Sequence, residues 1–168
     1  MQVSSDSISK KMNFSIVFSD FKQLTKVGLS LSVVFSSLAG YLLAVDEINY
    51  LILVMLAIGG YLMVGASNAF NQIIEKDTDA LMKRTMNRPL PTGRMHVSMA
   101  MVIAVSFTVL GLAILYSINP KSALFGAISI FLYTSVYTPL KAITPLSVFV
   151  GAIPVSYTHL RAHETKAN

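Results

Sequence analysis

No cysteine occurs anywhere in the 168 residues, which removes disulfides and thiolate metal ligands and leaves the redox compartment unread. Charge is scarce as well. Only 12% of residues are Asp, Glu, Lys or Arg, where ordinary soluble domains carry roughly 25%, and that excludes a soluble globule. In their place stand apolar residues, at 54%, with a mean hydropathy of +0.63. A net charge of +5 would suit nucleic acid, but the basic residues border apolar segments and form no face. Membrane topology accounts for them, and nucleic acid is not an expected partner. Also missing is a short apolar core with a small-residue cleavage site, so the polar, Ser-rich residues 1–11 do not read as a signal peptide.

What is present is a series of apolar stretches of membrane-crossing length. Between Met12 and Lys26 the apolar positions Phe14, Val17, Phe18, Phe21 and Leu24 recur at steps of three and four. This predicts a helix along the membrane surface, with Lys22 and Lys26 at headgroup level. A first span is expected from Val27 to Val45, and its small residues, among them Gly28, Ser30, Ser32, Ser36 and Gly40, predict close helix packing. After the acidic turn Asp46-Glu47, a second span runs from Tyr50 to about Phe70, with Gly59-Gly60 marking close packing or a bend. Residues 72–96 form the longest polar interval, helical to about Leu81 and then turning or extended at Pro89 and Pro91. A third span covers Val97 to Ser117, a fourth Ser122 to Tyr137, and a fifth apolar segment opens at Pro145. The expected fold is all-α: a polytopic transmembrane helical bundle with four complete spans and the start of a fifth. Of the 13 Lys and Arg, leaving aside Arg161 and Lys166 near the end, all but Lys121 fall on one side of the expected membrane. The positive-inside rule puts that side, with the N-terminus and the 72–96 loop, in the cytoplasm.

The chemistry concentrates between Asn68 and Met95. On a continuous helix Asn71, Glu75 and Asp79 point at about 0°, 40° and 80°, with Asn68 at about 60° and Tyr61 at about 80°. One arc then carries two amides, two carboxylates and a phenol, with Lys83, Arg84, Arg88 and Arg94 following. A lone Asn or Asp here would be a cap and a lone basic cluster a topology signal. Acids at i, i+4 and i+8 beside a membrane are costly without a task. Oxygen ligands suit Mg²⁺, and guanidinium and ammonium groups suit phosphate oxygens, so the set fits a Mg²⁺-bound diphosphate. Asn71 and Glu75 lie about 6 Å apart along the axis and can share an ion. Asp79, about 12 Å from Asn71, requires a bend, a bridging water or a second ion. Asp77 falls on the far side and is left out.

The segment N-Q-I-I-E-K-D-T-D-A-L-M-K-R-T-M-N-R-P-L-P-T-G-R-M, from Asn71 to Met95, resembles the first Asp-rich motif of the UbiA-type intramembrane prenyltransferases. Within them it is most similar to the protoheme IX farnesyltransferases, or heme O synthases. Glu75 stands where Asp is usual, and Gln72 where the ubiquinone-pathway relatives usually have Asp. The resemblance implies farnesyl diphosphate as donor, the vinyl group of haem B as acceptor, Mg²⁺ as cofactor and a location in the inner (cytoplasmic) membrane, within the lipid bilayer. It implies Asn71, Glu75 and Asp79 as catalytic metal ligands, and Lys83, Arg84, Arg88 and Lys141 as diphosphate contacts. Asn68 and Tyr61 stand as polar and aromatic neighbours, Tyr61 facing the allylic cation, with Tyr133 and Tyr137 as further aromatic candidates. It also implies about nine helices and a second Asp-rich motif further along, so the 168-residue chain alone is expected to be inactive. The competing functions are prenyl transfer to a quinone or other lipid acceptor, and a non-enzymatic membrane transporter or binding protein. A transporter would set its ionisable groups nearer mid-membrane, at broken helices.

The organisation expected is a cytoplasmic N-terminal segment with its interfacial helix (1–26), a truncated prenyltransferase membrane domain (27–154) and a foreign tail (155–168). The fifth apolar segment should continue for about ten more residues to cross the bilayer, but it meets Arg161, Glu164 and two histidines. That tail resembles translated adapter-like sequence, so His159 and His163, although four apart, are not assigned to a metal, and His96 is read as interfacial. Sequencing the locus from intact DNA is expected to show a coding frame that departs from this sequence after residue 154; a stop codon directly after Asn168 would refute the expectation.

Overall fold

The computed structural model describes residues 14–137. Lys141, the fifth apolar segment, His159, His163 and the 155–168 tail lie outside the described residues. Those described form helices α1 (Phe14–Thr25), α2 (Val27–Ala44), α3 (Tyr50–Ile74), α4 (Lys76–Leu81), α5 (Val97–Ile118) and α6 (Pro120–Phe131). A wider π-helical stretch, Leu132–Tyr137, continues α6. Helices α2, α3 and α5, of 18, 25 and 22 residues, are long and apolar enough to cross a membrane. The fourth expected span is helical as far as the description reaches.

The start signals sit where the chemistry requires them. The side chain of Asn49 accepts from the backbone N–H groups of Leu51 and Ile52 at the start of α3. Asn119 accepts from Lys121 N–H, with Pro120 in the first turn of α6. Each cap gives a partner to donors that open a helix without an internal acceptor.

Helix α3 is the hub, packing most extensively on α5, then on α2, and also against α1. One apolar cluster joins Leu24 of α1, Ala69 of α3, Leu90 and Met95 of the loop before α5, and Ala100 and Ala104 of α5. A second joins Met63, Leu115 and Ala123 of α3, α5 and α6. Glycines let the backbones approach. A Cβ on Gly65 would lie 3.1 Å from the Phe107 ring, and one on Gly59 3.2 Å from Ile114 and Leu115. The Phe107 ring that uses this space also meets Phe21 of α1 edge-on, with centroids 5.9 Å apart. Of the Gly-Gly pair, Gly59 therefore serves close packing.

Of the small residues of α2, Ser30 packs closely as expected, fully buried beside Asn68 of α3, whereas the glycines do not. A Cβ on Gly28 or Gly40 would meet nothing within 4 Å, and Ser32 and Ser36 hydrogen-bond to carbonyls one turn back in their own helix. Only Ser30 and Val34 of α2 are buried. The outward faces of α2, α3, α5 and α6 expose large apolar side chains, among them Phe35, Leu43, Leu51, Val102, Val109 and Phe125. On membrane-spanning helices such faces meet lipid or further helices.

Replacing Gly65 or Gly59 by Val is expected to cost about 1–3 kcal/mol through overpacking between α3 and α5. Gly40→Ala serves as the control and should leave thermal unfolding in detergent unchanged.

Candidate functional site

The second half of α3 carries two adjacent polar stripes with different duties. The first repairs a broken helix. Helices α1 and α2 are separated by Lys26, whose backbone is left-handed (φ 46°, ψ 59°), so carbonyls at the end of α1 lose their helical partners. Gln72 Nε2 donates to the carbonyls of Gln23 and Leu24, both at 2.9 Å. Asn68 Nδ2 donates to the Thr25 carbonyl at 3.3 Å and reaches Ser30 Oγ at 3.5 Å. Ser30 Oγ donates to the same Thr25 carbonyl at 2.8 Å. Both amides are buried. The Nδ2 of Asn68 thus serves the α1–α2 junction. Gln72 Oε1 is buried with no partner among the described residues.

The second stripe holds the acids. Asn71 is buried, and its Nδ2 donates to Glu75 Oε2 at 2.8 Å. Glu75 closes α3 and opens α4 with φ −87° and ψ 6°. The ladder carries on across it: Glu75 N–H donates to Asn71 O at 2.9 Å, and Asp79 N–H to Glu75 O at 2.7 Å. The helix therefore bends at Glu75 while its hydrogen bonds continue. Asp79 is 3% exposed and forms a salt bridge with Arg88 at 2.5 Å. An unpaired buried carboxylate would be strongly penalised, and Arg88 removes that penalty. Asp77 is exposed, as its position on the far side predicts.

The loop that brings Arg88 back is folded as successive tight turns. Thr85 Oγ1 donates to the Asp79 carbonyl at 3.0 Å, Arg88 N–H to Thr85 O at 2.9 Å, and Thr92 Oγ1 to Arg88 O at 2.8 Å. Gly93 takes φ 71°, which glycine adopts without strain. Pro89 and Leu90 are fully buried and Met95 nearly so, anchoring the loop in the α1–α3–α5 core. Arg94 Nε donates to Asp20 Oδ1 of α1 at 2.9 Å, and its Nη2 donates to Asn87 O at 2.9 Å.

Lys83 and Arg84 are exposed and make no ion pair with other described residues. Tyr61, two turns before Asn68, is half-buried, as is Tyr133; the side chain of Tyr137 lies outside the description. His96 is exposed, just before α5. No cluster of three or more His, Cys, Asp or Glu able to hold a metal occurs among the described residues. The available donor set is one amide and two carboxylates, hard oxygen groups of the kind magnesium takes together with water.

The sequence reading missed the Asp20–Arg94 pair, Thr85 and the structural use of Gln72. Gln72 had a signal: it lies four residues after Asn68, on the same side of α3. Asp20 had one too, as the one acid of α1.

Membrane-spanning helices, with an oxygen-rich stripe at the end of one and a basic loop folded back onto it, define a multi-pass membrane protein. The chain belongs to the UbiA prenyltransferase family, which it matches over residues 33–160. It is 68% identical over 138 residues to the protoheme IX farnesyltransferase of Christiangramia forsetii, covering 82% of this chain and 46% of that one. It is 68% identical over 141 residues to that of Flavobacterium psychrophilum, with 82% and 47% covered. To the mitochondrial protoheme IX farnesyltransferase of Homo sapiens it is 37% identical over 132 residues, with 78% and 30% covered. The chain spans about half the length of the bacterial relatives it matches. No solved structure matches significantly.

Gln72→Met, which keeps the length and removes the amide, is expected to cost about 1–3 kcal/mol by leaving the Gln23 and Leu24 carbonyls bare. Lower thermal stability in detergent, with faster amide exchange confined to the α1–α2 junction, is the result to look for.

Proposed function

We propose that the intact protein containing this chain transfers the farnesyl group of farnesyl diphosphate to the vinyl group of protoheme IX, with water adding to the carbon left cationic and losing a proton, forming heme O. The observation that carries this reading is the 68% identity to relatives bearing the protoheme IX farnesyltransferase name, over a stretch that includes the acidic arc. The geometry supports the diphosphate half of it. Asn71 and Glu75 are joined at the bend of α3, and Asp79 lies one turn on with Arg88 against it.

In this reading Asn71, Glu75 and Asp79 would hold a divalent cation, Mg²⁺, directly or through water. When bound, such an ion neutralises charge on the diphosphate. Lys83, Arg84 and Arg88 meet phosphate oxygens, Arg88 with two donors in a fixed fork. The allylic C–O bond breaks and its electron pair leaves with the diphosphate. The cations therefore gain more attraction in the transition state than in the ground state. Asp79 also orients Arg88, so the pair acts as a unit. Lys141, beyond the described residues, has a phosphate role in the same reading, and Tyr61 offers its ring face to the allylic cation. Asn68 drops out, because its amide holds the α1–α2 junction. The apolar helices exclude the water that would quench the cation. The distribution of Lys and Arg supports a motif loop facing the cytoplasm from the inner membrane.

Expressed from the intact gene and purified, the protein should make heme O from protoheme IX and farnesyl diphosphate only with a divalent ion present. Glu75→Gln or Asp79→Asn should lower turnover by about 10²–10³, with membrane insertion unchanged. Failure to form heme O, or full activity in both variants, would refute the reading. The 168-residue chain by itself is expected to show no turnover.

A further inference from the structure

Arg94 stands near the end of the motif stretch, and the diphosphate reading gives it no task. Its guanidinium is nonetheless held on three sides. Nε donates to Asp20 Oδ1 of α1 at 2.9 Å. Nη2 donates to the Asn87 carbonyl at 2.9 Å and to Gln23 Oε1 of α1 at 3.4 Å. Asp20 is buried, so the anchor on α1 is itself fixed. One planar group therefore ties α1 to the peptide that immediately precedes Arg88, a task suited to the rigid fork of arginine.

The loop has other anchors. Pro89 and Leu90 are fully buried, Met95 is nearly so, and the Thr85 and Thr92 hydroxyls close its turns. Arg94 adds something those contacts do not. The peptide unit between Asn87 and Arg88 has its N–H bonded to Thr85 O at 2.9 Å and its carbonyl bonded to Arg94. Held at one end, a peptide plane can still swing; held at both, it is fixed, and with it the direction in which the Arg88 side chain sets out. That side chain ends on Asp79.

We infer that Arg94 is a positioning residue for Arg88. Clamped to Asp20 and Gln23, it fixes the peptide from which the Arg88 side chain departs, and so sets the aim of that guanidinium on the acidic arc. Arg94 meets no substrate itself and acts only through its neighbour. The kinetic consequence rests on the reading of Arg88 as a diphosphate contact; the structural one does not.

Arg94→Lys separates aim from anchorage. A lysine keeps a positive charge for buried Asp20 but presents one nitrogen in place of the planar fork, so the arm to Asn87 is lost. In the intact protein this variant should melt close to the parent in detergent. Its kcat for heme O formation should fall by about 10- to 100-fold. KM for farnesyl diphosphate should change less, because aim matters most as charge builds on the leaving group. In an Arg88→Gln background the same change should have no further effect, since no guanidinium is left to aim. Amide exchange read by mass spectrometry should quicken over residues 86–92 and stay unchanged in α3. Full activity of Arg94→Lys, or an equal loss in both backgrounds, would overturn the inference. Unchanged exchange over 86–92 would overturn it whatever the activity. Should the intact protein make no heme O, the transferase reading falls, and the exchange measurement still decides whether Arg94 holds the peptide before Arg88.

Discussion

A helix that ends inside an apolar bundle leaves carbonyl groups that lipid cannot satisfy, and the protein must find donors for them itself. Here the donors are the amides of Asn68 and Gln72, one turn apart on α3, bonded to the carbonyls of Gln23, Leu24 and Thr25. That contact fixes α1 against α3. With α1 in place, Asp20 can hold Arg94, and the loop between α4 and α5 closes over the end of α3. Leu90 and Met95 then enter the core beside Leu24 and Ala69. Arg88 reaches Asp79 through this chain of dependencies, so the acidic arc owes its cation to hydrogen bonds made on the neighbouring stripe.

The bend at Glu75 belongs to the same arrangement. On a straight helix Asp79 would trail about 12 Å behind Asn71 along the axis. With the bend, the hydrogen-bond ladder continues and Asp79 is buried against Arg88 while Asn71 remains bonded to Glu75. A backbone near ψ 0° at a polar residue is a modest departure from helical geometry. It turns the row of polar side chains without leaving backbone groups bare.

Much of the architecture was legible in the sequence because the membrane imposes it. Runs of about 20 apolar residues have one common solution in lipid, and the expected starts at Val27, Tyr50 and Val97 coincide with those of α2, α3 and α5. The Asn71–Glu75 contact follows from i, i+4 spacing alone. Contacts between distant segments could not be read that way. The pairing of Asp20 with Arg94 spans 74 residues, and no local periodicity encodes it. Asn68 is a related case. Its direction on the helix wheel was compatible with the acidic arc, and only the position of α1 reveals which neighbour its amide serves. Ser30 of α2 packs as read, but a glycine invites close packing without naming a partner, and at Gly28 and Gly40 none is present among the described residues.

Two stripes on one helix, one bonded to α1 and one leading into the acids, make rotation of α3 about its own axis a shared variable. Adding or removing a single residue between Gly65 and Asn68 would swing everything beyond by about 100° relative to the α5 packing face. The amides would then leave the α1 carbonyls in the same stroke that turned Glu75 and Asp79 away from the basic loop. The spacing of this stretch is therefore locked twice over.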